Sequence, residues 1–400
     1  MGDIVLATPV KGPDRRSMVV LSAGHLFNDM SPGAIPALLP FLVTQRHLSY
    51  SGAAGLVLAF TISSSVGQPL FGHLADRAPR PWMMPLGLVL SGLGIAITGI
   101  LPGYWLIFAA SLLTGVGVAA YHPEAARFAN YVSGLKRATG MSIFSVGGGV
   151  GFALGPATVT PLVGAFGLPG TVLLLVPSLA MAVVLHIEIP RLERFRPVAA
   201  APDQSRPKPI TRDQWNPFTR LVGVAILRQV VYYAFLTFAP LYFVRVFLTS
   251  PARANTVLTA MLAAGAVGTV LTGLLADRFG RRAALLGALG IVAVLSAAFT
   301  VTSPLLAALT LILIGTAIIG TFSTMLVMGQ EYLPRNLGLA SGLALGLPDG
   351  VGGVAAPVLG SIADHIGLRA VFQIAVVVAT AAVALALTLP RTAADSKGRL

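Results

Sequence analysis

The feature that most constrains this chain is its division into long apolar runs, each wide enough to cross a lipid bilayer. Twelve are read, over 17–42, 51–74, 82–101, 104–128, 138–164, 168–188, 218–245, 253–276, 283–302, 305–331, 337–363 and 368–390. The hydrocarbon core takes about 20 residues of helix. Inside it every backbone N–H and C=O must be satisfied by the protein itself, so only helices and closed barrels span it. Barrel strands are about 10 residues long and alternate in polarity. The runs here are longer and do not alternate, which predicts an all-α membrane protein. Composition agrees: 55% of the residues are hydrophobic and 10% charged, where a soluble domain carries roughly a quarter charged.

Charge placement orients the spans. With both termini cytoplasmic, the termini, the even-numbered loops and the span ends bordering them hold 22 of the 27 Lys and Arg. The odd-numbered loops and their bordering span ends hold Arg46, Arg245, Arg253 and Arg369, and Arg228 lies deep inside a span. This is the asymmetry of the positive-inside rule. It accounts for the net charge of +13 without a nucleic-acid partner, because the basic residues are spread over separate cytoplasmic segments rather than gathered on one module. The first apolar run contains Asp29 and three prolines and reads as a first span rather than a cleaved signal.

The chain also repeats itself. Gly72-His-Leu-Ala-Asp76-Arg77-Ala-Pro-Arg80 returns as Gly273-Leu-Leu-Ala-Asp277-Arg278-Phe-Gly-Arg281-Arg282, 201 residues later. Gly147-Gly-Gly-Val-Gly151 through Pro156 returns at the same offset as Pro348-Asp-Gly-Val-Gly352 through Pro357. Two related halves in a membrane protein suggest a carrier whose binding site lies between them. The expected organisation is a six-helix bundle over 1–188, a linker over 189–217 and a second six-helix bundle over 218–400. The linker is rich in proline and basic residues, which fits a solvated cytoplasmic connection near lipid headgroups.

The repeated loop motif falls between spans 2 and 3 and between spans 8 and 9. Gly72 and Gly273 are expected to let helices approach closely. Asp76 and Asp277 suit the start of a neighbouring helix, where the dipole favours an anion. Arg77, Arg80, Arg278, Arg281 and Arg282 suit carboxylates or helix C-terminal carbonyls, in contacts that a cytoplasmic gate would make and break. The motif resembles the loop signature G-x-L-A-D-R-x-G-R-R of the major facilitator superfamily, with Pro79 and Pro81 as departures in the first copy. His25-Leu-Phe-Asn28-Asp29, Tyr121-His122-Pro123-Glu124-Ala-Ala-Arg127, Ser145-Val-Gly147-Gly148 and Gln330-Glu331-Tyr-Leu-Pro334 together resemble the fosmidomycin resistance branch of that superfamily. Asp349 departs from that branch, where Gly is usual. The resemblance implies an inner-membrane drug exporter driven by proton entry, and a monomer is expected. It also implies a cavity lined by spans 1, 4, 5, 7, 10 and 11; Asn28 and Tyr121 are further expected substrate-binding residues.

Ionisable residues within the spans are costly and usually face a cavity or a partner. His25 and Asp29 stand four apart on span 1 and share a helix face. Asp29 lies about 18 Å along the helix from Ser17, near the midplane, where desolvation and a nearby cation compete over its protonation. It is the expected proton carrier, with His25. Arg228 sits about 15 Å into span 7, and its fork suits a carboxylate or phosphate group. Two expectations attach to it: pairing with Asp29 across the symmetry axis, or binding an anionic substrate with Tyr232. Asp349, in a Gly-rich part of span 11, is either a packing residue or a second protonation site. Pro123 is expected to bend the end of span 4, with Glu124 paired to Arg127 or the loop arginines, and Glu331 acting alike at the end of span 10.

Other classes fare poorly. There is no Cys, which removes disulfides and thiolate chemistry. His122-Pro-Glu124 lacks the downstream Pro-Cys-x-x-Cys of zinc deaminases, so no metal and no cofactor are expected. Neither His-Glu-x-x-His nor Gly-x-Ser-x-Gly occurs, and no phosphate-binding loop follows a strand, so neither a membrane-embedded enzyme nor a primary pump is indicated. The expected function is a proton-coupled exporter of an amphiphilic or anionic drug. An importer of a sugar or organic acid is the alternative.

Overall fold

The structure, a computed structural model, describes residues 12–77, 80–196 and 212–390. Among these there is no strand; twelve α-helices account for the apolar runs. They are α1 Arg15–Gln45, α2 Tyr50–Arg77, α3 Met83–Ile97, α4 Tyr104–Val132, α5 Arg137–Phe166, α6 Leu175–Glu193, α7 Trp215–Arg245, α8 Pro251–Phe279, α9 Arg281–Phe299, α10 Pro304–Tyr332, α11 Leu337–Ile366 and α12 Leu368–Leu387. The sixth run is not one helix: Leu168-Pro169-Gly170 opens a 3-10 stretch, Leu168–Leu174, before α6 begins. Most of the 189–217 linker, residues 197–211, lies outside the described residues.

Helix ends follow local chemistry. Asp14 caps α1, its carboxylate accepting from the Ser17 N–H at 2.9 Å. Ser250 caps α8 by accepting from the Arg253 N–H, with Pro251 as the first helical residue. The α5 and α11 helices end at the equivalent glycines Gly167 (φ 65) and Gly367 (φ 94), in a backbone region that side-chain-bearing residues rarely adopt.

Packing repeats between the halves. Within the first, α1 lies along α5 and α2 along α4; within the second, α7 lies along α11 and α8 along α10. Across the halves, α2 meets α11 and α5 meets α8. The α1–α5 seam depends on missing side chains: a Cβ at Gly151 would collide with the Leu26 carbonyl, and one at Gly33 with that of Phe152. Such close backbone approach is how helices associate where lipid offers no hydrophobic drive. The motif glycines do not do this. Gly72 has only ordinary contact with Pro123, and Gly273 faces open space.

The two faces of the molecule differ. On the face away from the start of α1 and the end of α12, residues 30–43 of α1 and 233–243 of α7 are buried all round. The Asp364 carboxylate on α11 there accepts from the Tyr50 N–H at 2.7 Å and the Ser51 N–H at 3.0 Å, capping α2 from the opposite half. Asn255 on α8 donates to the Ala37 carbonyl and to Thr160, each at 2.9 Å. That face is sealed. On the other face a cavity runs inward, from Pro69 and Ser341 to Pro32 and Phe152.

Candidate functional site

The cavity has a volume of about 710 Å³, within the usual range for small-molecule sites. It lies between the halves, and each half supplies one charged wall. Asp29 on α1 and His122 on α4 stand on one side; Arg228, Gln229, Tyr232 and Tyr233 on α7 and Asp349 on α11 stand on the other. Phe60, Phe152 and Phe322 give it apolar surface.

On the first wall three side chains converge. Asp29 Oδ2 lies 3.2 Å from His25 Nε2, and Oδ1 lies 3.3 Å from His122 Nε2. The two imidazole Nε2 atoms are 3.2 Å apart. Each ring is pinned behind by a backbone carbonyl: His25 Nδ1 to that of Phe144, and His122 Nδ1 to that of Val118, both at 2.8 Å. The His25 ring also stacks on Phe144, with centroids 4.2 Å apart. Asn28 donates to Asp29 Oδ1 at 3.1 Å and accepts from Ser91.

On the second wall Arg228 is buried. Its Nε and Nη2 donate to the Ile318 carbonyl at 3.1 and 2.7 Å, and its guanidinium lies 5.6 Å from the centre of the Tyr232 ring, a cation–π distance. Nη1 donates to Gln229 Oε1. Gln229 in turn donates to Asp349 Oδ1 at 2.8 Å, where Tyr233 also donates at 3.0 Å. One amide thus joins a buried cation to a half-buried anion.

A family model for the Major Facilitator Superfamily matches residues 21–348. The chain belongs to the major facilitator superfamily. It is 30% identical over 357 residues to the fosmidomycin resistance protein of Escherichia coli (strain K12), covering 88% of each chain. It is 32% identical over 358 residues to the uncharacterized MFS-type transporter YfnC of Bacillus subtilis (strain 168), covering 88% of this chain and 87% of that one. Among solved structures it is similar to a bacterial homologue of the human lysosomal transporter spinster, in an inward-facing and occupied conformation. That likeness has TM-score 0.76 at 17% identity and covers 92% of this chain and 95% of that one. A D-xylose-proton symporter gives TM-score 0.70 at 17% identity, covering 94% and 98%. These structural likenesses speak for the fold.

Within this major facilitator chain, several sequence expectations need correction. Arg228 does not pair with Asp29: the histidines already hold the carboxylate, and the guanidinium is held by Ile318 and Gln229 within its own half. Tyr121 does not line the cavity. It is fully buried, donating to the Leu21 carbonyl at 3.1 Å where α4 crosses α1. Asn28 is fully buried as well and reaches the site only through Asp29. His122, read from sequence as part of a motif at a bent helix end, is instead a direct partner of Asp29. Gln229 carried no sequence signal beyond its adjacency to Arg228.

The loop residues pair within their own halves. Glu124 accepts from the Arg80 N–H at 2.9 Å and lies 3.5 Å from Arg127, which donates to the Ala75 carbonyl. Arg281 pairs with Glu331, Arg282 donates to the Leu387 carbonyl, and Arg278 lies over the Phe279 ring. Asp277 is exposed. The side chains of Asp76 and Arg77 lie outside the described residues.

Proposed function

We propose that this major facilitator transporter is a proton-coupled exporter of an amphiphilic or anionic drug, working as a monomer in a bacterial inner membrane with both termini cytoplasmic. The observation that carries the reading is the facing of two charged walls across one midplane cavity that is sealed on the far side. A carboxylate held by imidazoles can load and release a proton, and a buried arginine beside an aromatic ring can receive an anionic headgroup. Asp29, with His25 and His122, takes the coupling proton, and Asp349 is a second protonation site. Arg228 and Tyr232 bind substrate. Proton and substrate shift the conformational balance only by their differential affinity for the two states. The contacts around Arg80, Glu124, Arg281 and Glu331 rearrange when the open face closes. The similarity to the fosmidomycin resistance protein supports drug efflux, and the cationic second wall supports an anionic cargo.

The test is growth inhibition across antibiotics, phosphonates included, with and without the chain, repeated with a protonophore. Protection that disappears with the protonophore is expected. Protection that persists would remove proton coupling, and none against any compound would remove drug export. Inside-out vesicles under an imposed pH gradient separate export from import. In them, Asp29→Asn is expected to abolish gradient-driven transport while substrate binding persists. Arg228→Lys is expected to weaken anionic substrates about tenfold, leaving cationic ones nearly unchanged, since a point charge replaces a bidentate fork.

A further inference from the structure

We propose that His25, Asp29 and His122 form a binding site for a divalent transition-metal ion, with Zn2+ the ion their arrangement fits. The argument begins behind the rings. A backbone carbonyl can only accept a hydrogen bond, so the Nδ1 atoms of His25 and His122, each 2.8 Å from a carbonyl oxygen, must both carry hydrogen. In neutral imidazoles the two Nε2 atoms are then bare lone pairs. They point at each other across 3.2 Å and at a carboxylate 3.2 and 3.3 Å away. With no proton on either Nε2, three electron-rich groups converge with nothing positive among them. Such a cluster is held together by a proton on one Nε2 or by a metal cation.

The spacing says which kind. Zn2+ binds imidazole nitrogen and carboxylate oxygen at about 2.0–2.2 Å in tetrahedral geometry, which places neighbouring ligand atoms about 3.3 Å apart. The Nε2–Nε2 separation is close to such an edge, and each Nε2 lies a like distance from one carboxylate oxygen, Oδ2 for His25 and Oδ1 for His122, so the carboxylate would meet the ion with one or both oxygens. The carbonyls behind Nδ1 are the outer partners that fix tautomer and ring orientation in histidine metal sites. Two imidazoles and one carboxylate suit a transition ion rather than Ca2+ or Mg2+, which prefer oxygen. The fourth position faces the cavity, since Asp29 and His122 both line it.

Gly148 on α5 keeps room beside the cluster. A Cβ there would collide with His25 Nε2 and lie 2.9 Å from Asp29 Oδ2. The ligands come from α1 and α4 and are braced by α5, so a bound ion would tie α1 to α4 beside α5. Metal and proton are alternative occupants of the same lone pairs. The inference goes beyond the transport reading and does not depend on it.

The test is metal titration of the untagged, metal-free protein in detergent, following Co2+ by its visible absorption and Zn2+ by displacement of Co2+. One ion per chain is expected, with a four-coordinate Co2+ spectrum. Asp29→Asn and His122→Gln are each expected to weaken binding at least tenfold. A variant with His47, His73, His186 and His365 all changed to Gln, four exposed positions outside the cluster, is expected to bind as the parent does. That variant keeps the test decisive if a ligand substitution fails to fold. The proposal is overturned if the parent takes up no Co2+ or Zn2+ below millimolar concentration, if the fourfold variant loses binding, or if a folded His122→Gln binds unchanged.

Discussion

Gln229 stands between a buried cation and a half-buried anion and hydrogen-bonds both, so its loss would leave Arg228 and Asp349 each short of a partner. Hydrogen bonds to charged groups are worth about 1.5–3 kcal/mol each. Gln229→Ala is therefore expected to lower stability by about 3 kcal/mol, read as a fall in melting temperature of the purified protein, whereas a change under 1 kcal/mol would mean water replaces the amide. At Gly148 the expected effect is functional. Gly148→Ala pushes a methyl group into the His25–Asp29 contact and is expected to cut transport more than tenfold with the protein still folded. Wild-type transport in that variant would show the triad geometry to be dispensable. At this scale the sequence made the charges legible and the partners illegible. An Asp, an Arg and a second Asp inside apolar runs announce themselves by cost. Which groups offset that cost depends on how α1 crosses α4 and how α7 faces α11, and spacing along one helix cannot encode that. Hence His25, four residues from Asp29, was readable and His122 was not.

Helix identity, by contrast, was legible almost throughout, because twenty apolar residues in a bilayer leave the backbone no choice. Exceptions have local causes. The 3-10 entry to α6 follows Pro169-Gly170, and α7 starts at Trp215, before the apolar run, because the Gln214 N–H already bonds to the Tyr332 carbonyl at 2.7 Å. Asp14 shows how an end is tuned. Burial works to raise its carboxyl, but hydrogen bonds from Ser17 and Arg191 outweigh it and hold the carboxyl below its ordinary value. A depressed folded value means the stabilisation is complete above the unfolded value, about pH 4, and is lost as pH falls through the lower folded one. Asp14→Ala is expected to cost about 1 kcal/mol at pH 7, with the difference from the parent vanishing in acid; a difference independent of pH would argue against the charged cap. Asp364 caps α2 from the other half. Breaking that cap with Asp364→Ala is expected to populate the state open on the far face, measurable as faster labelling of a cysteine introduced at Ser51; unchanged labelling would remove the cap from the seal.

At the scale of the whole molecule, the halves are held together on one face and parted on the other. The α2–α11 and α5–α8 seams are related by the internal repeat. A symmetric pair of seams lets the same helices close either end, which is the physical content of alternating access. The repeat was visible in sequence as a shared offset of 201 residues; which face is sealed was not, since both states use one sequence. The absence of native cysteine makes the decisive measurement clean. Spin labels on cysteines at His73 and Leu339 report the open face, and labels at His47 and His365 report the sealed one. In lipid nanodiscs, adding a transported substrate or acidifying the medium is expected to shorten one distance and lengthen the other in matched proportion. Single, unchanging distances on both faces, or two that move in the same direction, would contradict the account.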